Sequence, residues 1–319
     1  MALSLKAPLI RMLRSRAVGR PAAAITSRFG PRPLSRKISE LCDYVPPIVT
    51  VPLPDAFGRA KPFRMYGHRG RDAVARTLWF SGWGGFEPPM PDLFAALAKD
   101  ARWVLDVGSY SGFYTLVSAT VSPTVKVLAF DPFPEAQQLF EANIALNRLG
   151  ERVRLLRTAA SDAPGSAPLY VPPANTRLVE MASSLGSWHR KEHQQVLQVV
   201  VTTLDAAVAD NNAGPVDLIK LDVESMEGPV LRGAAAILRE QRPVIFLEVL
   251  PGYDDGTLDA IAADFDYRCG VLTDTGLLWP DRIKAHPQFT NQVFCPREKV
   301  ESVARAAAEA CPGPAAGHR

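Results

Sequence analysis

The stretch WVLDVGSYSGFYTL, residues 103–116, decides the fold, because it combines a strand, a tight turn and the start of a helix. WVLDVG is a short apolar run that ends in glycine, which predicts a buried strand, and the residues after it have helical spacing. The turn contains Asp106, Gly108 and Gly112 as D-x-G-x-x-x-G. Glycines let a backbone approach a ligand closely, and a helix N-terminus offers unpaired N–H groups. The stretch predicts a site for a nucleotide-type cofactor, with an ordinary strand–helix turn as the alternative.

The same alternation of strands and helices continues outward. Residues 135–150 predict a helix closed by Gly150. Apolar strands that alternate with helices predict an α/β fold with a parallel sheet buried on both faces. Ligands bind such sheets beyond the carboxyl ends of the strands, so the residues after each strand are candidates for a site. The further predicted strands are KVLAFDP (126–132), VRLLRTAASD (153–162), DLIKLDVE (217–224), PVIFLEVL (243–250), YRCGVLTD (267–274) and NQVFCP (291–296).

The composition is that of a globular protein. With 319 residues, 47% of them hydrophobic and 22% charged, the chain is neither disordered as a whole nor collagen-like. Four widely spaced cysteines form no CxxC pair, which argues against a disulfide framework or a zinc–cysteine site. No stretch approaches the ~20 apolar residues that a membrane-spanning helix needs, so we predict no membrane span.

The formal net charge of +3 is unevenly distributed along the chain. Residues 1–39 contain nine basic and no acidic residues, and the remainder therefore carries a net charge of −6. The basic segment predicts a disordered leader or a mitochondrial-type transit segment. We expect a cytoplasmic protein, with mitochondrial import as the alternative. An acidic body matches nucleic-acid phosphates poorly, so we expect no nucleic-acid partner.

Four parts of the chain follow from these patterns. Residues 1–39 form the leader, and residues 40–100 form an N-terminal extension that includes a helix after Pro91. Within this extension, VPPIVTVPLP predicts an edge strand or an ordered loop, because proline cannot donate to a sheet. Residues 101–298 form the main α/β domain, and residues 299–319 a C-terminal helix and tail.

Two acidic positions follow the second and third predicted strands. Asp131 stands 25 positions after Asp106, where a carboxylate can accept hydrogen bonds from ribose hydroxyls. The same carboxylate would repel a 2′-phosphate, which disfavours NADP. Ser161 and Asp162 follow the next strand, and they predict either a contact with an adenine amine or a polar turn before APGSA.

More acids leave the fourth and fifth predicted strands. Asp222, Glu224 and Glu227 follow Lys220 in the segment KLDVESME. One or two of these acids should face the cleft, and the rest should be solvated or cap the next helix. Glu248 lies within an apolar run, where an unpartnered carboxylate would cost several kcal/mol. We therefore expect Glu248 to meet a cation or a set of N–H groups, or to lie at the cleft end of its strand.

The segment HRKEH, residues 189–193, matches the H-x-x-E-H pattern of some zinc proteases. Its surroundings, SWHRKEHQQ, are polar, and the sequence offers no identifiable third ligand. We therefore predict a solvated segment and no metal site. His189 stays a candidate for substrate binding or proton transfer.

Together these motifs resemble the FkbM-type family of class I S-adenosylmethionine-dependent methyltransferases, roughly from Gly82 to Pro296. The family pattern DVGANxGYYTL stands here as DVGSYSGFYTL, and AFEPxPENxxxLxxNIxLN stands as AFDPFPEAQQLFEANIALN (129–147). IKIDVEGxExxVLxGA stands as IKLDVESMEGPVLRGA (219–234), with Ser225 in place of the usual glycine. The upstream FEP, AASD, the Ser183–Ser184 pair and PVIFLE also match. Ser109, Tyr110 and Ser111 depart from the family's A-N-x.

The resemblance implies a Rossmann-like class I methyltransferase fold with a seven-stranded, mostly parallel sheet and helices on both faces. It implies S-adenosylmethionine as the cofactor and O-methylation of a hydroxyl on a small molecule or glycan. Implied proton acceptors are, in falling order, Asp222, Glu224, Glu248 and His189. Implied cofactor contacts are Gly108 and Gly112 in the loop, Asp131 at the ribose, Ser161 and Asp162 at the adenine, and Glu87, Asp106 and Asp222 around the methionine moiety.

Two other functions stay open at this point. A nicotinamide-dependent oxidoreductase can have a similar fold, although its fingerprint is G-x-G-x-x-G and not G-x-x-x-G. A methyltransferase fold that has lost activity and serves as a binding protein is the other alternative, although the glycine loop and Asp131 are both retained.

Overall fold

The computed structural model of the chain describes residues 45–58, 61–172, 178–179, 183–186, 195–250 and 256–311. The predicted leader, His189 and the end of the predicted tail lie outside the described residues. The strands are β1 (Ile48–Val51), β2 (Phe63–Tyr66), β3 (Trp103–Val107), β4 (Lys126–Phe130), β5 (Val153–Leu156), β6 (Ala159–Ala160), β7 (Gly165–Val171), β8 (Gln195–Thr202), β9 (Val216–Leu221), β10 (Val244–Glu248), β11 (Tyr267–Thr273), β12 (Gly276–Leu278) and β13 (Asn291–Pro296).

Helices alternate with these strands, as the sequence predicts. The α-helices are α1 (Ala73–Ser81), α2 (Met90–Ala98), α3 (Phe113–Val121), α4 (Pro134–Asn147), α5 (Leu204–Asp210), α6 (Glu227–Arg232), α7 (Thr257–Phe265) and α8 (Val300–Ala310). A π-helical turn, Ile237–Gln241, precedes β10. No helix in the described part of the chain is long and apolar enough to cross a membrane.

The central sheet has eight strands in the order β12-β11-β13-β10-β9-β3-β4-β5. The five strands from β10 to β5 are parallel, whereas β13 runs antiparallel to both β10 and β11. The predicted α/β class with a mostly parallel sheet is confirmed. The predicted count of seven strands is one too low, because the short turn after Thr273 lets β12 fold back on β11 as an antiparallel edge strand.

Apolar layers cover both faces of the sheet. One layer packs α2, α3 and α4 against residues such as Val104, Val127 and Phe246. The other layer packs α5 and α6 against residues such as Leu105 and Ile219. The side chains of these residues point to the opposite face of the sheet, because successive residues of a strand alternate in direction. Burial on both faces explains why the central strands are apolar throughout and do not alternate.

The predicted strand 153–162 is in fact two strands. β5 ends at Leu156, and β6 joins a separate three-stranded sheet through the pairs Ala159–Val201 and Ala160–Thr202. Both halves are largely apolar, but they contribute to two different sheets. The break falls at Arg157 and Thr158, and the pairing of β6 with β8, which is distant in the sequence, decides it.

The predicted closure of helix α4 by Gly150 is also wrong. The helix ends at Asn147, and Arg148 adopts the left-handed conformation with φ of 59°. The N–H groups of Arg148 and Leu149 then donate to the carbonyls of Ala145 and Ile144. Arg148 thus takes the place that glycine usually fills at a helix C-terminus.

Two asparagines on helix α4 hold the N-terminal hairpin of β1 and β2. Asn143 accepts from the N–H of Tyr66 at 2.6 Å and donates to the carbonyl of Ser111 at 2.7 Å. Asn147, one helical turn later, accepts from the N–H of Arg64 at 2.9 Å and donates to its carbonyl at 2.6 Å. The side-chain amides therefore satisfy the β2 edge as a neighbouring strand would.

Replacement of Asn143 by alanine should lower the free energy of unfolding by about 2–4 kcal/mol. The change leaves the buried carbonyl of Ser111 without its partner, at about 1–3 kcal/mol, and removes the part-buried hydrogen bond to the N–H of Tyr66, at about 1 kcal/mol. Urea unfolding monitored by circular dichroism measures the loss. Asn147→Ala is the matched control and should cost less, because Asn147 is only partly buried. Equal losses for the two variants would contradict this account.

Candidate active site

A cleft opens at the carboxyl ends of β3, β4, β9 and β10, where the strand order reverses. It encloses about 940 Å³ of space between protein atoms, part of it open to solvent. This place is where open α/β sheets bind ligands. The cleft is lined by the loop after β3, by the segment 130–133 and by four acids, Glu87, Asp222, Glu224 and Glu248. Glu87, Asp222 and Glu248 interact electrostatically, and we call their part of the cleft the acidic end.

Gly108 is the closest point between β3 and β9. Its φ is 78°, and a Cβ built on it would lie 1.7 Å from the backbone oxygen of Asp222. The N–H of Asp222 donates to the carbonyl of Val107 at 2.9 Å, and the N–H of Gly108 donates to the carbonyl of Phe130 at the same distance. Both the backbone conformation and the lack of space therefore require glycine at this position.

Gly112 and Asp106, the two ends of the glycine loop, are not among the residues that line the cleft. Gly112 begins helix α3 with φ of 83°, and a Cβ there would lie 2.8 Å from the Phe140 ring. The Asp106 carboxylate accepts from Thr115 twice, from its N–H at 3.0 Å and its hydroxyl at 2.6 Å. Burial raises the pKa of Asp106 to about 6. Asp106 therefore holds the start of α3, and its predicted contact with a methionine moiety stays a prediction.

Asp131 lines the cleft just beyond the end of β4, as the sequence predicts. One of its oxygens accepts from the N–H of Tyr110 and the other from the N–H of Phe133, each at 2.8 Å. Burial raises the pKa of Asp131 to about 7, against the effect of these two hydrogen bonds. Each oxygen keeps a second lone pair, so the carboxylate can still accept from a ligand.

Ser161 and Asp162 do not line the cleft, which argues against the predicted adenine contact. The Ser161 carbonyl packs against Gly233, and Asp162 forms a surface ion pair with Arg232 at 3.3 Å. The chain turns away because Ala160 pairs with β8. The cleft wall here consists of Thr158, Ala159 and Ala160.

Thr158 is a site residue that sequence reasoning missed. Its hydroxyl is buried and has no hydrogen-bond partner among the described residues. It lies in the short gap between β5 and β6, inside the segment 153–162 that the sequence predicts as one strand. A buried polar atom without a partner at a cleft wall is a candidate for ligand contact.

Glu87 and Glu248 face the acidic end of the cleft. The Glu87 carboxylate accepts from the Tyr114 hydroxyl at 2.6 Å, and burial raises its pKa to about 7. Glu248 stands at the end of β10, where burial also raises its pKa. Glu248 therefore lies at the cleft end of its strand, which is one of the arrangements expected from the sequence. Desolvation therefore brings the pKa values of both carboxyls closer to neutral pH than those of acids in water.

The turn 222–226 carries two residues in the left-handed conformation, Glu224 with φ of 53° and Ser225 with φ of 72°. The buried Glu227 carboxyl faces the backbone N–H groups of Val223 and Ser225 in this turn, and its Oε2 has no hydrogen-bond partner among the described residues. Burial raises the pKa of Glu227 to about 8. Of the three acids in this segment, Asp222 and Glu224 thus line the cleft, and Glu227 holds the turn that presents them.

Ser184 fixes the outer wall of the cleft. Its N–H and carbonyl pair with Tyr170 of β7, and its hydroxyl donates to the carbonyl of Glu224 at 3.0 Å. Ser183 and Leu185 beside it also line the cleft. The serine pair therefore connects the three-stranded sheet to the acid-bearing turn.

Gly108→Ala should destabilise the protein by about 2–5 kcal/mol, which combines the left-handed backbone cost with the clash against Asp222. Gly58→Ala is the matched control, since Gly58 has φ of 73° and no atom within 4 Å of a built Cβ. Thermal unfolding of both variants separates the two contributions. Equal unfolding temperatures for the Gly108→Ala and Gly58→Ala variants would contradict the predicted clash.

Ser225→Gly should raise the stability by about 1 kcal/mol, and the Tm by about 2–4 °C. Glycine accepts φ of 72° without strain, and the change removes a buried hydroxyl that has no hydrogen-bond partner among the described residues. Differential scanning calorimetry measures the shift. Ser184→Gly should instead lower the Tm, because that hydroxyl is bonded to Glu224 and Gly186. A lower Tm for Ser225→Gly would show that Ser225 is not strained.

Comparison with known proteins identifies relatives of one kind. The chain is 28% identical to Methyltransferase sdnD of Sordaria araneosa over 144 residues, which cover 44% of this chain and 49% of that protein. It is 27% identical to Methyltransferase 1 of Beauveria bassiana (strain ARSEF 2860) over 148 residues, 42% of this chain and 59% of that protein. The chain thus spans about half the length of the curated relatives it matches.

Among solved structures, the methyltransferase FkbM from Methylobacillus flagellatus KT is similar with 14% identity and a TM-score of 0.41. The similarity covers 61% of this chain and 44% of that one. The family model of the methyltransferase FkbM domain matches residues 106–269, just over half of the chain, from the acid of the glycine loop to β11. The chain belongs to the FkbM methyltransferase family, and its sheet is that of the Rossmann-like class I fold.

Proposed function

We propose that the chain is an S-adenosylmethionine-dependent methyltransferase that methylates a hydroxyl of a small molecule or glycan. The observation that carries the proposal is the convergence of Gly108, Asp131 and Asp222 on one cleft at the sheet's switch point. The loop spacing and the free lone pairs of Asp131 fit a nucleoside, and they favour it over a nicotinamide dinucleotide, which needs a middle glycine for its pyrophosphate.

The residues of the cleft fit the parts of this cofactor. Asp131 would accept from the ribose hydroxyls, and the Thr158 hydroxyl, with the backbone of 159–160, would contact the adenine. Gly108, Glu87 and Asp222 would surround the methionine end, where carboxylates suit an ammonium and a sulfonium. When bound, the cofactor supplies a methyl group on a positively charged sulfur.

The chain's own contribution is alignment and proton acceptance. A hydroxyl acceptor needs a base within hydrogen-bond reach, and Asp222, Glu224 and Glu248 all line the cleft. Asp222 remains the first candidate, because it lies at the end of the strand beside the glycine loop. His189 stays a prediction from the sequence, outside the described residues. Alignment of the reacting atoms can contribute up to ~7–11 kcal/mol.

The acceptor would enter past the wall formed by Leu169, Ser183, Leu185 and Met226, which is apolar with one hydroxyl. The four acids that line the cleft would repel an anionic acceptor. A neutral hydroxyl compound therefore suits the site better than a nucleic acid or a phosphorylated metabolite. Cytoplasmic placement of the protein remains part of this proposal.

Isothermal titration calorimetry tests cofactor binding. S-adenosylmethionine and S-adenosylhomocysteine should bind, whereas NAD should not, and Asp131→Ala should weaken binding at least 10-fold through two lost ribose hydrogen bonds of about 1 kcal/mol or more each. Asp162→Asn is the control on the neighbouring exposed acid and should bind as the wild type does. Equally weakened cofactor binding in the two variants would show that Asp162 contacts the cofactor after all.

The same variants test methyl transfer. Incubation of the wild type with methyl-labelled cofactor and an extract of the host's metabolites should yield a labelled product, and Asp131→Ala should yield little. Cofactor binding without any labelled product would favour an inactive binding protein, and stabilisation by NAD alone would favour an oxidoreductase.

A further inference from the structure

Lys220 carries a charge in the middle of the sheet. It lies on β9 with Asp106 of β3 and Phe246 of β10 as its register partners, and it is 1% exposed. A lone ammonium at such a position would be very costly, because it leaves water without compensation. Its surroundings must therefore supply that compensation.

Acids surround the ammonium from every element that packs against it. Nζ lies 3.1 Å from Oδ2 of Asp222 and 5.3 Å from the centre of the Tyr114 ring. The Tyr114 hydroxyl donates in turn to Glu87. The groups that face Lys220 are Asp222 at the end of its own strand, Asp106 on β3, Tyr114 on α3, Glu87 before α2 and Glu248 on β10.

The charges on both sides of this cluster depend on each other. Burial pulls the pKa of Lys220 down, but Asp222 and Glu87 outweigh it and leave the pKa above its ordinary value. In return, Lys220 opposes the rise that burial imposes on the pKa values of Glu87 and Glu248. One buried cation thus balances several carboxyls, three of which line the cleft.

We propose that Lys220 is a positioning residue for methyl transfer. It orients the Asp222 carboxylate at the cleft and keeps the neighbouring carboxyls ionised, so that their negative charge faces the reacting groups. The proposal rests on the proposed function, because it assumes that the acidic end of the cleft receives the cofactor's cationic end and the acceptor hydroxyl. Lys220 itself does not line the cleft, so it acts through Asp222, Glu87 and Glu248.

The test is calorimetric titration of the full chain with S-adenosylmethionine between pH 6 and pH 9, for the wild type, Lys220→Met and Lys220→Arg. Falling pH protonates the acids and should weaken binding of the sulfonium cation. Without the ammonium this loss should occur about 1–3 pH units higher, since an opposite charge at such distances lowers a carboxyl pKa by that amount. Lys220→Arg retains the charge and should return the midpoint toward the wild-type value.

Lys126→Met is the matched control, because this exposed lysine lies over Trp103 at the far end of β4, away from the cleft. Its pH profile should equal that of the wild type. If Lys220→Met does not fold, Lys220→Gln, which can still donate to Asp222, replaces it and should show the same upward shift.

The outcomes separate the two proposals. A wild type that does not bind S-adenosylmethionine contradicts the proposed function. A wild type that binds, together with an unchanged midpoint in the neutral variants, overturns the role of Lys220. Failure of both neutral variants to fold, while Lys220→Arg folds, would assign Lys220 to stability alone and also overturn it.

Discussion

The close approach of Gly108 to the backbone of Asp222 is the constraint on which the cleft depends. At this point the carboxyl ends of β3 and β9 are in direct contact, with no room for a side chain between them. The strand order reverses here, so the chain after β3 leaves toward the face of the sheet that α3 covers, and the chain after β9 leaves toward the opposite face, which α6 covers. The glycine loop and the acid-bearing turn therefore become the two walls of one cavity.

The polar groups beneath the cleft are held by partners, because the interior would otherwise expel them. Asp106 is bonded to Thr115 and Lys220 to Asp222, and the buried Glu227 carboxyl faces backbone N–H groups of its own turn. The segment DVESME accordingly has divided roles: its first two acids face the cleft and its third supports the turn. Burial explains why acids of one short motif act so differently.

The N-terminal region is part of the site's support. The buried Asp72 caps helix α1 and also accepts from the hydroxyl of Ser111 in the glycine loop. The Tyr110 hydroxyl, in the same loop, donates to the carbonyl of Val179. Asn143 connects the loop to β2. These contacts fix the loop, so the N-terminal extension contributes directly to the support of the site.

The sequence by itself determined the fold class, the position of the glycine loop and the acids at the strand ends. These features depend on local spacing and on burial patterns that the order of residues records directly. Asp131 and Glu248 were predictable because a residue after a parallel strand must emerge at the cleft edge.

Only the tertiary structure decided which of the predicted residues meet there. Asp162 follows a strand as Asp131 does, yet it turns outward to Arg232, whereas Asp106 lies within β3 and turns inward to Thr115. Thr158 was hidden because the strand break at Leu156 depends on pairing with a distant segment. Lys220 has meaning only through groups far away in sequence. Side-chain direction and long-range partners are set by packing, which no local pattern contains.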